Sequence, residues 1–145
     1  MPVEFTGIER RLDELAERLA RLRPLCEKPQ SEFEGDPYLR DIVERNLEVA
    51  AQCCIDISHR IISLEHSRKP TDYQDAILCM GELGVLPSDF AHRLAPLAGF
   101  RNILVHEYVT VDWNLVYQHL HELEDLEQFA HLVSDWMKQR LDAAS

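Results

Sequence analysis

The stretch DPYLRDIVERNLEVAAQCCIDISHRIISLEHSRKP (residues 36–70) decides the fold of this 145-residue chain. In it, apolar or small side chains recur at alternating steps of four and three residues, at Val43, Leu47, Ala50, Cys54, Ile57, Ile61 and Leu64. This heptad spacing predicts one long helix with a buried seam. Asp36 is a favourable N-cap, Pro37 suits the first helical position, and SRKP (67–70) is expected to end the helix. The spacing leaves open whether the seam packs inside a bundle or against a second copy of the chain.

A second amphipathic segment precedes this helix. Its apolar stripe consists of Ile8, Leu12, Leu15, Leu19 and Leu22, the spacing of one buried helical face. Thr6 and Glu9 have the spacing of a capping box, and Pro24 is expected to stop this first helix. The segment CEKPQSEFEG (residues 26–35) reads as a polar linker with turn-forming residues.

Three more helices are predicted after the long one. The third runs from about Thr71 to Leu83, is capped by Thr71 or Asp72, and has Gly84 as the residue that follows its end. The fourth begins at Pro87 and continues into residues 101–108. The last is capped by Asp112 and is expected to run without a break from about residue 113 to about residue 140.

Composition agrees with a helical protein. Hydrophobic residues make up 46% and charged residues 28% of the chain, and only five glycines argue against a turn-rich β fold. No apolar stretch is long enough to cross a bilayer, and the N-terminal MPVEFTGIERR lacks the pattern of a signal peptide. We therefore expect a single all-α domain over residues 1–145, a bundle of four to five helices, located in the cytoplasm with no membrane partner.

The cysteines and histidines form no recognisable metal or redox motif. Cys53 and Cys54 are adjacent and point to different helical faces, and no CxxC occurs among the four cysteines, so we expect reduced, partly buried thiols. His119 and His121 are two residues apart and would lie on different sides of a helix. The sequence predicts no metal site and no cofactor, and most of the seven histidines are expected to be solvated.

The formal net charge of −11 limits the choice of partners. A nucleic-acid backbone repels such a chain at long range, so we expect no DNA partner. Action on RNA would need a local cationic pocket, and the overall acidity suits a basic protein partner better. The acidic run HELEDLEQ (residues 121–128) is either a solvated helix face or a face that docks a partner.

The segment RNILVHEY (residues 101–108) gathers an arginine, a histidine and a tyrosine. On an ideal helix, side chains five positions apart diverge by about 140°. Spacing alone favours a simple explanation, in which His106 is a histidine at a helix C-terminus, where the dipole favours its cation. The chemistry also suits RNA cleavage, because a histidine can transfer protons and an arginine can stabilise phosphoryl charge. That role would require the helix to unwind between Arg101 and His106, or a second subunit to complete the site.

The segment matches the R-x4-H-x-Y motif of the HEPN superfamily and resembles its HepT-like toxins. Arg101, His106 and Tyr108 occupy the motif positions, and Asn102 fills the polar position after the arginine. Residues 31–62 resemble the long second helix of that family, and residues 72–108 resemble its continuous middle segment.

This resemblance implies a dimeric helical toxin of a type VII-like toxin–antitoxin pair, a metal-independent ribonuclease acting on mRNA or tRNA. Arg101 and His106 would be catalytic, with Asn102 and Asp56 in supporting roles. The implied partner is an MntA-type nucleotidyltransferase antitoxin that transfers AMP from ATP to Tyr108. The alternative is a non-catalytic nucleotide- or protein-binding subunit of a nucleotidyltransferase complex. The intact Arg101/His106 pair favours the ribonuclease.

Overall fold

The computed structural model describes residues 3–106 and 111–144, and every regular element in them is helical. The α-helices are α1 (Thr6–Leu22), α2 (Gln30–Glu34), α3 (Pro37–Leu64), α4 (Tyr73–Glu82), α5 (Ser88–Leu94), α6 (Pro96–His106), α7 (Trp113–Leu120) and α8 (Leu123–Ala144), with 3₁₀ turns at Val3–Phe5 and Arg23–Glu27. The predicted all-α bundle of four to five helices is confirmed, with the fourth and the last predicted helices each divided in two.

Helix α3 is the centre of the bundle. Its seam is solvent-excluded at Val43, Leu47, Ala50, Cys54, Ile57 and Ile61, and partly buried at Leu64. α3 packs most extensively on α1 and also contacts α4, α6, α7 and α8. The seam therefore lies inside the protomer, and its use as a dimer seam, which the spacing left open, is excluded.

The ends of α3 differ in how well the sequence predicts them. Asp36 is the predicted N-cap, and its Oδ1 accepts the backbone N–H groups of Tyr38 and Leu39, each at 3.1 Å. The C-terminus comes at Leu64, before the predicted SRKP stop. There the N–H of Ser67 donates to the carbonyl of Ile62 at 3.2 Å, which closes the helix end.

The predicted capping box of α1 is wrong. The chain enters α1 from the 3₁₀ turn Val3–Phe5, so Phe5 is the N-cap residue, has helical backbone angles and makes no side-chain cap. Thr6 is already inside the helix. An N-cap side chain accepts a backbone N–H from an extended conformation, which this entry does not provide.

The segment predicted as a polar linker is in part helical and contributes to the core. Phe33, on the short helix α2, is fully buried. Its ring stacks on Trp113 at a centroid distance of 5.2 Å and meets Tyr117 edge-on at 5.9 Å. One aromatic side chain thus attaches the connection between α1 and α3 to α7.

The fourth and last predicted helices are each broken. Ala95 separates α5 from α6, and Pro96 is the first residue of α6. A proline lacks the N–H that a continuous helix needs and clashes with the preceding turn, which accounts for this break. α7 ends at Leu120, where the N–H of His121 bonds to carbonyls of the last turn, and α8 begins at Leu123. No glycine or proline marks the second break in the sequence.

The thiols agree with the expected reduced state. Cys53, Cys54 and Cys79 are buried, Cys26 is partly buried, and all four are free. Burial raises the pKa of Cys53 to about 11 and that of Cys54 well above its usual range. Within residues 3–106 and 111–144, no helix is long and apolar enough to cross a membrane.

A substitution at Gly84 tests whether the turn that ends α4 requires a glycine. It has φ +77° and follows the C-cap residue Leu83, as the sequence predicts, and no atom lies within 4 Å of a Cβ placed there. Gly84→Ala should therefore lower the free energy of unfolding through backbone strain alone, by about 1–2 kcal/mol. Gly35→Ala is the matched control, because Gly35 has φ −88° and room for a Cβ. It should be neutral or stabilising by about 0.5 kcal/mol. Urea denaturation measures both, and equal effects would contradict this account.

Candidate active site

Arg101 lies on α6 and is half-buried against α4. Its Cζ lies 5.7 Å from the centroid of the Tyr73 ring, a cation–π contact. Its Nη1 donates to Oδ1 of Asn102 at 3.2 Å, and Asn102 is exposed. The buried Nε of Arg101 has no hydrogen-bond partner within the part of the chain that the structure describes. The guanidinium is thus held against an aromatic ring, and its buried Nε is left unsatisfied.

His106 is the last residue of α6 and is exposed. α6 is continuous from Pro96 to His106, so the helix does not unwind between Arg101 and His106. The two side chains consequently leave the helix about 140° apart. Of the two ways to bring them to one ligand, unwinding of α6 is therefore contradicted, and completion by a second subunit stays a prediction. Tyr108 lies outside the described residues.

Asp56 lies on α3 and lines a cleft that Tyr73 also lines. Its Oδ2 accepts Nε of Arg11 at 3.3 Å, and its Oδ1 accepts Nε2 of Gln52 at 2.8 Å. The Oε1 of Gln52 is buried and has no hydrogen-bond partner among the described residues. Asp56 lines the same cleft as Tyr73, whose ring Arg101 contacts, but no hydrogen bond or ion pair joins Asp56 to Arg101 within residues 3–106 and 111–144.

The cleft has a volume of about 550 Å³ and lies between α1, α3 and α4. It is lined by Gly7, Arg11, Asp56, His59, Arg60, Ser63 and Tyr73. Such a volume is within the range of small-ligand sites. His59 meets the Tyr73 ring edge-on at a centroid distance of 5.8 Å. Apart from Asp56, these residues were not singled out from the sequence, because they are far apart along the chain and form no local motif.

The position of Tyr73 is fixed by the turn that precedes α4. The Arg68 guanidinium donates to both carboxylate oxygens of Asp75, at 2.7 and 2.8 Å, and the Thr71 N–H donates to the same carboxylate at 2.8 Å. Hydrogen bonding by Arg68 holds the pKa of Asp75 well below its usual range. Asp72 caps α4 by accepting the N–H of Asp75 at 2.7 Å. Tyr73 follows as the first helical residue.

His119 supports α6 from behind. Its ring stacks on Phe100, the residue before Arg101, at a centroid distance of 4.1 Å, and its side chain is only 10% exposed. Burial lowers the pKa of His119, although Glu122, 3.5 Å away, acts in the opposite direction. The expectation that most histidines are solvated is wrong for this one and confirmed for the other six, which are exposed.

The acidic run at residues 121–128 is only partly free for a partner. Glu122 and Glu124 are exposed. Asp125 forms an ion pair with Arg93 at 3.4 Å, and Glu127 forms one with Arg23. In the part of the chain that the structure describes, no group of three or more His, Cys, Asp or Glu side chains is arranged to hold a metal ion.

Comparison with known proteins identifies the family. A family model described as ribonuclease HepT-like matches residues 15–133. The chain belongs to the HepT-like family. The mRNA nuclease HepT of Shewanella oneidensis is 30% identical over 104 residues, which are 71% of this chain and 78% of that protein. The tRNA nuclease HepT of Aphanizomenon flos-aquae is 32% identical over 115 residues, which are 79% and 78% of the two chains.

A solved structure extends this comparison to the fold. The tri-AMPylated HEPN toxin of Shewanella oneidensis, in complex with MNT antitoxin, superposes with a TM-score of 0.80 at 25% identity. The match covers 90% of this chain and 98% of that one. The predicted HepT-like fold and membership of a family of ribonuclease toxins are confirmed. The roles of Arg101, Asn102, His106, Asp56 and Tyr108 stay predictions.

The buried imidazole of His119 predicts how the stability of this HepT-like chain depends on pH. Because the folded-state pKa of His119 is lowered, the unfolded chain takes up this proton first as pH falls below about 6.5. The contribution of His119 to stability is therefore complete above that pH and is lost as pH falls towards the folded-state pKa.

His119→Phe keeps a ring against Phe100 and removes the titration. Between about pH 7 and about pH 5, the free energy of unfolding should fall more steeply in the parent, with a difference of at most about 1.4 kcal/mol per pH unit. Denaturant titrations across this range measure it. Parallel curves for the two proteins would contradict the assignment.

Proposed function

We propose that this chain is the toxin of a toxin–antitoxin pair, a ribonuclease that uses Arg101 and His106 and is silenced by AMP transfer to Tyr108. The observation that carries the proposal is the Arg101 guanidinium, which is held on Tyr73 beside an open cleft and keeps a buried Nε without a partner among the described residues. An arginine that only stabilised the fold would be expected to spend its donors on the protein.

The proposed reaction is an internal transfer on RNA. The ribose 2′-OH loses its proton to a base and attacks the adjacent phosphorus, and the bond from phosphorus to the 5′-oxygen breaks. A 2′,3′-cyclic phosphate forms, and the leaving 5′-oxygen takes a proton from an acid. His106 is exposed and can exchange these protons. Arg101 is always charged and can stabilise the phosphoryl oxygens as they gain charge.

We further propose that each site combines Arg101 of one subunit with His106 of another. The continuous α6 directs these side chains about 140° apart, so one copy cannot present both to a single phosphate. Arg101 faces α4, and His106 is exposed at the helix end, where a two-fold partner can reach it. The contact would involve the end of α6, since the α3 seam is buried.

Substitutions at the two residues test the catalytic assignment. His106→Ala should lower the RNA cleavage rate by about 10²–10⁴-fold, and Arg101→Ala by about 10²–10³-fold. Thermal unfolding of both variants should stay close to that of the parent, because neither side chain is fully buried. Cleavage should persist in EDTA. His131→Ala, another exposed histidine, is the control and should cleave as the parent does. A folded His106→Ala variant with parental cleavage would remove the assignment.

Mixing the two inactive variants tests the shared site. If Arg101 and His106 come from different subunits, a dimer of one Arg101→Ala and one His106→Ala chain contains one intact site. After exchange at equal concentrations, the mixture should recover about a quarter of the parental rate. Each variant alone should stay inactive. Absence of recovery, with mixed dimers shown by native mass spectrometry, would contradict the shared arrangement.

Tyr108 is the proposed site of regulation by an MntA-like nucleotidyltransferase. Its phenol oxygen would attack the α-phosphorus of ATP, AMP would join the oxygen, and pyrophosphate and the phenol proton would leave. The added phosphate brings negative charge next to His106 in the sequence. RNA would then be excluded by bulk and by charge repulsion. The AMPylated relative in complex with its antitoxin supports this proposal.

Tyr108→Phe distinguishes inhibition by AMP transfer from inhibition by binding of the antitoxin alone. It removes the acceptor oxygen and keeps the ring, so the variant should cleave RNA at about the parental rate and resist the antitoxin with ATP and Mg²⁺. Intact-mass spectrometry should show one or more added AMP groups on the parent and none on the variant. A variant that stays unmodified but is fully neutralised would favour the alternative function, in which the chain acts as a binding subunit of the nucleotidyltransferase complex.

A further inference from the structure

The cleft beside Arg101 has a charge balance unlike that of the rest of the chain. The chain carries 15 Lys and Arg against 26 Asp and Glu, and acidic side chains pair with many of its cations. In the cleft, Arg11 is paired with Asp56 at 3.3 Å, which cancels both charges. Within the described residues, Arg60 and Arg101 have no carboxylate partner. The charged side chains that line the cleft, Arg11, Asp56 and Arg60, therefore sum to one positive charge, two cations against one anion, although the whole chain is acidic.

Arg60 is free to bind an anion. It lies on α3, is exposed, and lines the cleft. Within the described residues its one hydrogen bond goes from Nη2 to the backbone carbonyl of Glu4 at 3.5 Å, a long and weak contact. A guanidinium has five N–H donors in a fork that matches two phosphate oxygens. Most of the donors of Arg60 therefore remain available.

Two rings stand between the cations. Tyr73 is half-buried, with the Arg101 guanidinium over its ring, and the exposed His59 meets it edge-on. Proteins that bind single-stranded RNA commonly place aromatic side chains against bases and cations against the backbone. Asn102, Arg101, Tyr73 and His59 form a continuous band from α6 across α4 to α3.

From these observations we infer that the cleft between α1, α3 and α4 binds one nucleotide of single-stranded RNA beside the scissile phosphate. Arg60 contacts a backbone phosphate, and His59 and Tyr73 contact the base. This inference rests on the proposed ribonuclease function and adds to it a substrate-binding subsite. RNA held here is positioned with the next phosphate towards Arg101.

Binding is measured in the His106→Ala background, where RNA is held without being cut. The probe is a short, fluorescently labelled single-stranded RNA in an anisotropy titration at several salt concentrations. Arg60→Ala should raise Kd about tenfold and reduce the slope of log Kd against log salt by about 0.7, the loss of one phosphate contact. Arg60→Lys should restore the salt slope and only part of the affinity. His59→Ala should raise Kd about fivefold with little change in the slope.

The matched control is Arg10→Ala. Arg10 is exposed, has no ion pair among the described residues and lies outside the cleft, and its loss changes the net charge by the same amount. Its Kd should change less than about twofold. Circular dichroism checks the fold of each variant. If Arg60→Ala is unfolded, Arg60→Lys replaces it in the comparison with Arg10→Ala.

The experiment distinguishes failure of the proposed subsite from failure of the proposed ribonuclease function. If Arg60→Ala binds RNA no more weakly than Arg10→Ala while the parent chain cleaves RNA, the subsite is wrong and the ribonuclease function stands. If the parent neither binds nor cleaves RNA, the function and the subsite fall together.

Discussion

Burial of the α3 seam is the constraint on which the rest of the molecule depends. A helix that buries Val43, Leu47 and Ile57 completely has no freedom to rotate about its axis. Its other faces are thereby fixed as well. Gln52, Asp56, His59 and Ser63 recur every three or four residues and so lie along one side of α3. Packing of apolar side chains thus determines where the polar residues of the cleft point.

The site is built from elements with different tasks. α3 and α1 provide the cleft, α4 provides the ring of Tyr73, and α6 provides the motif residues. Because α6 is a continuous helix at Arg101 and His106, it keeps apart the two groups that the proposed reaction uses together. Under the proposed shared site, the same regularity that makes α6 a stable support leaves the isolated protomer with only half of each catalytic pair. Assembly then becomes part of catalysis.

The sequence predicts what short-range patterns determine. The heptads specify α3, Asp36 and Gly84 specify helix ends, and the R-x4-H-x-Y motif identifies the family. Pro96 also carried a readable signal for the bend between α5 and α6. By contrast, Phe33 in a polar segment and His119 in a polar helix face are buried only because distant helices cover them. The contact of Tyr73 with Arg101 likewise depends on how α4 and α6 pack, which no local spacing encodes.

The stack of His119 on Phe100 has a consequence for the time at which the protein can act. Domains form as the chain is synthesised from its N-terminus, at about 5–20 residues per second. The cleft helices α1, α3 and α4 precede α6, whereas the ring that supports α6 from behind belongs to α7, which is made later. We expect the motif helix to dock firmly only after α7 has left the ribosome. The proposed site would therefore reach its final arrangement only when synthesis of the chain is nearly complete.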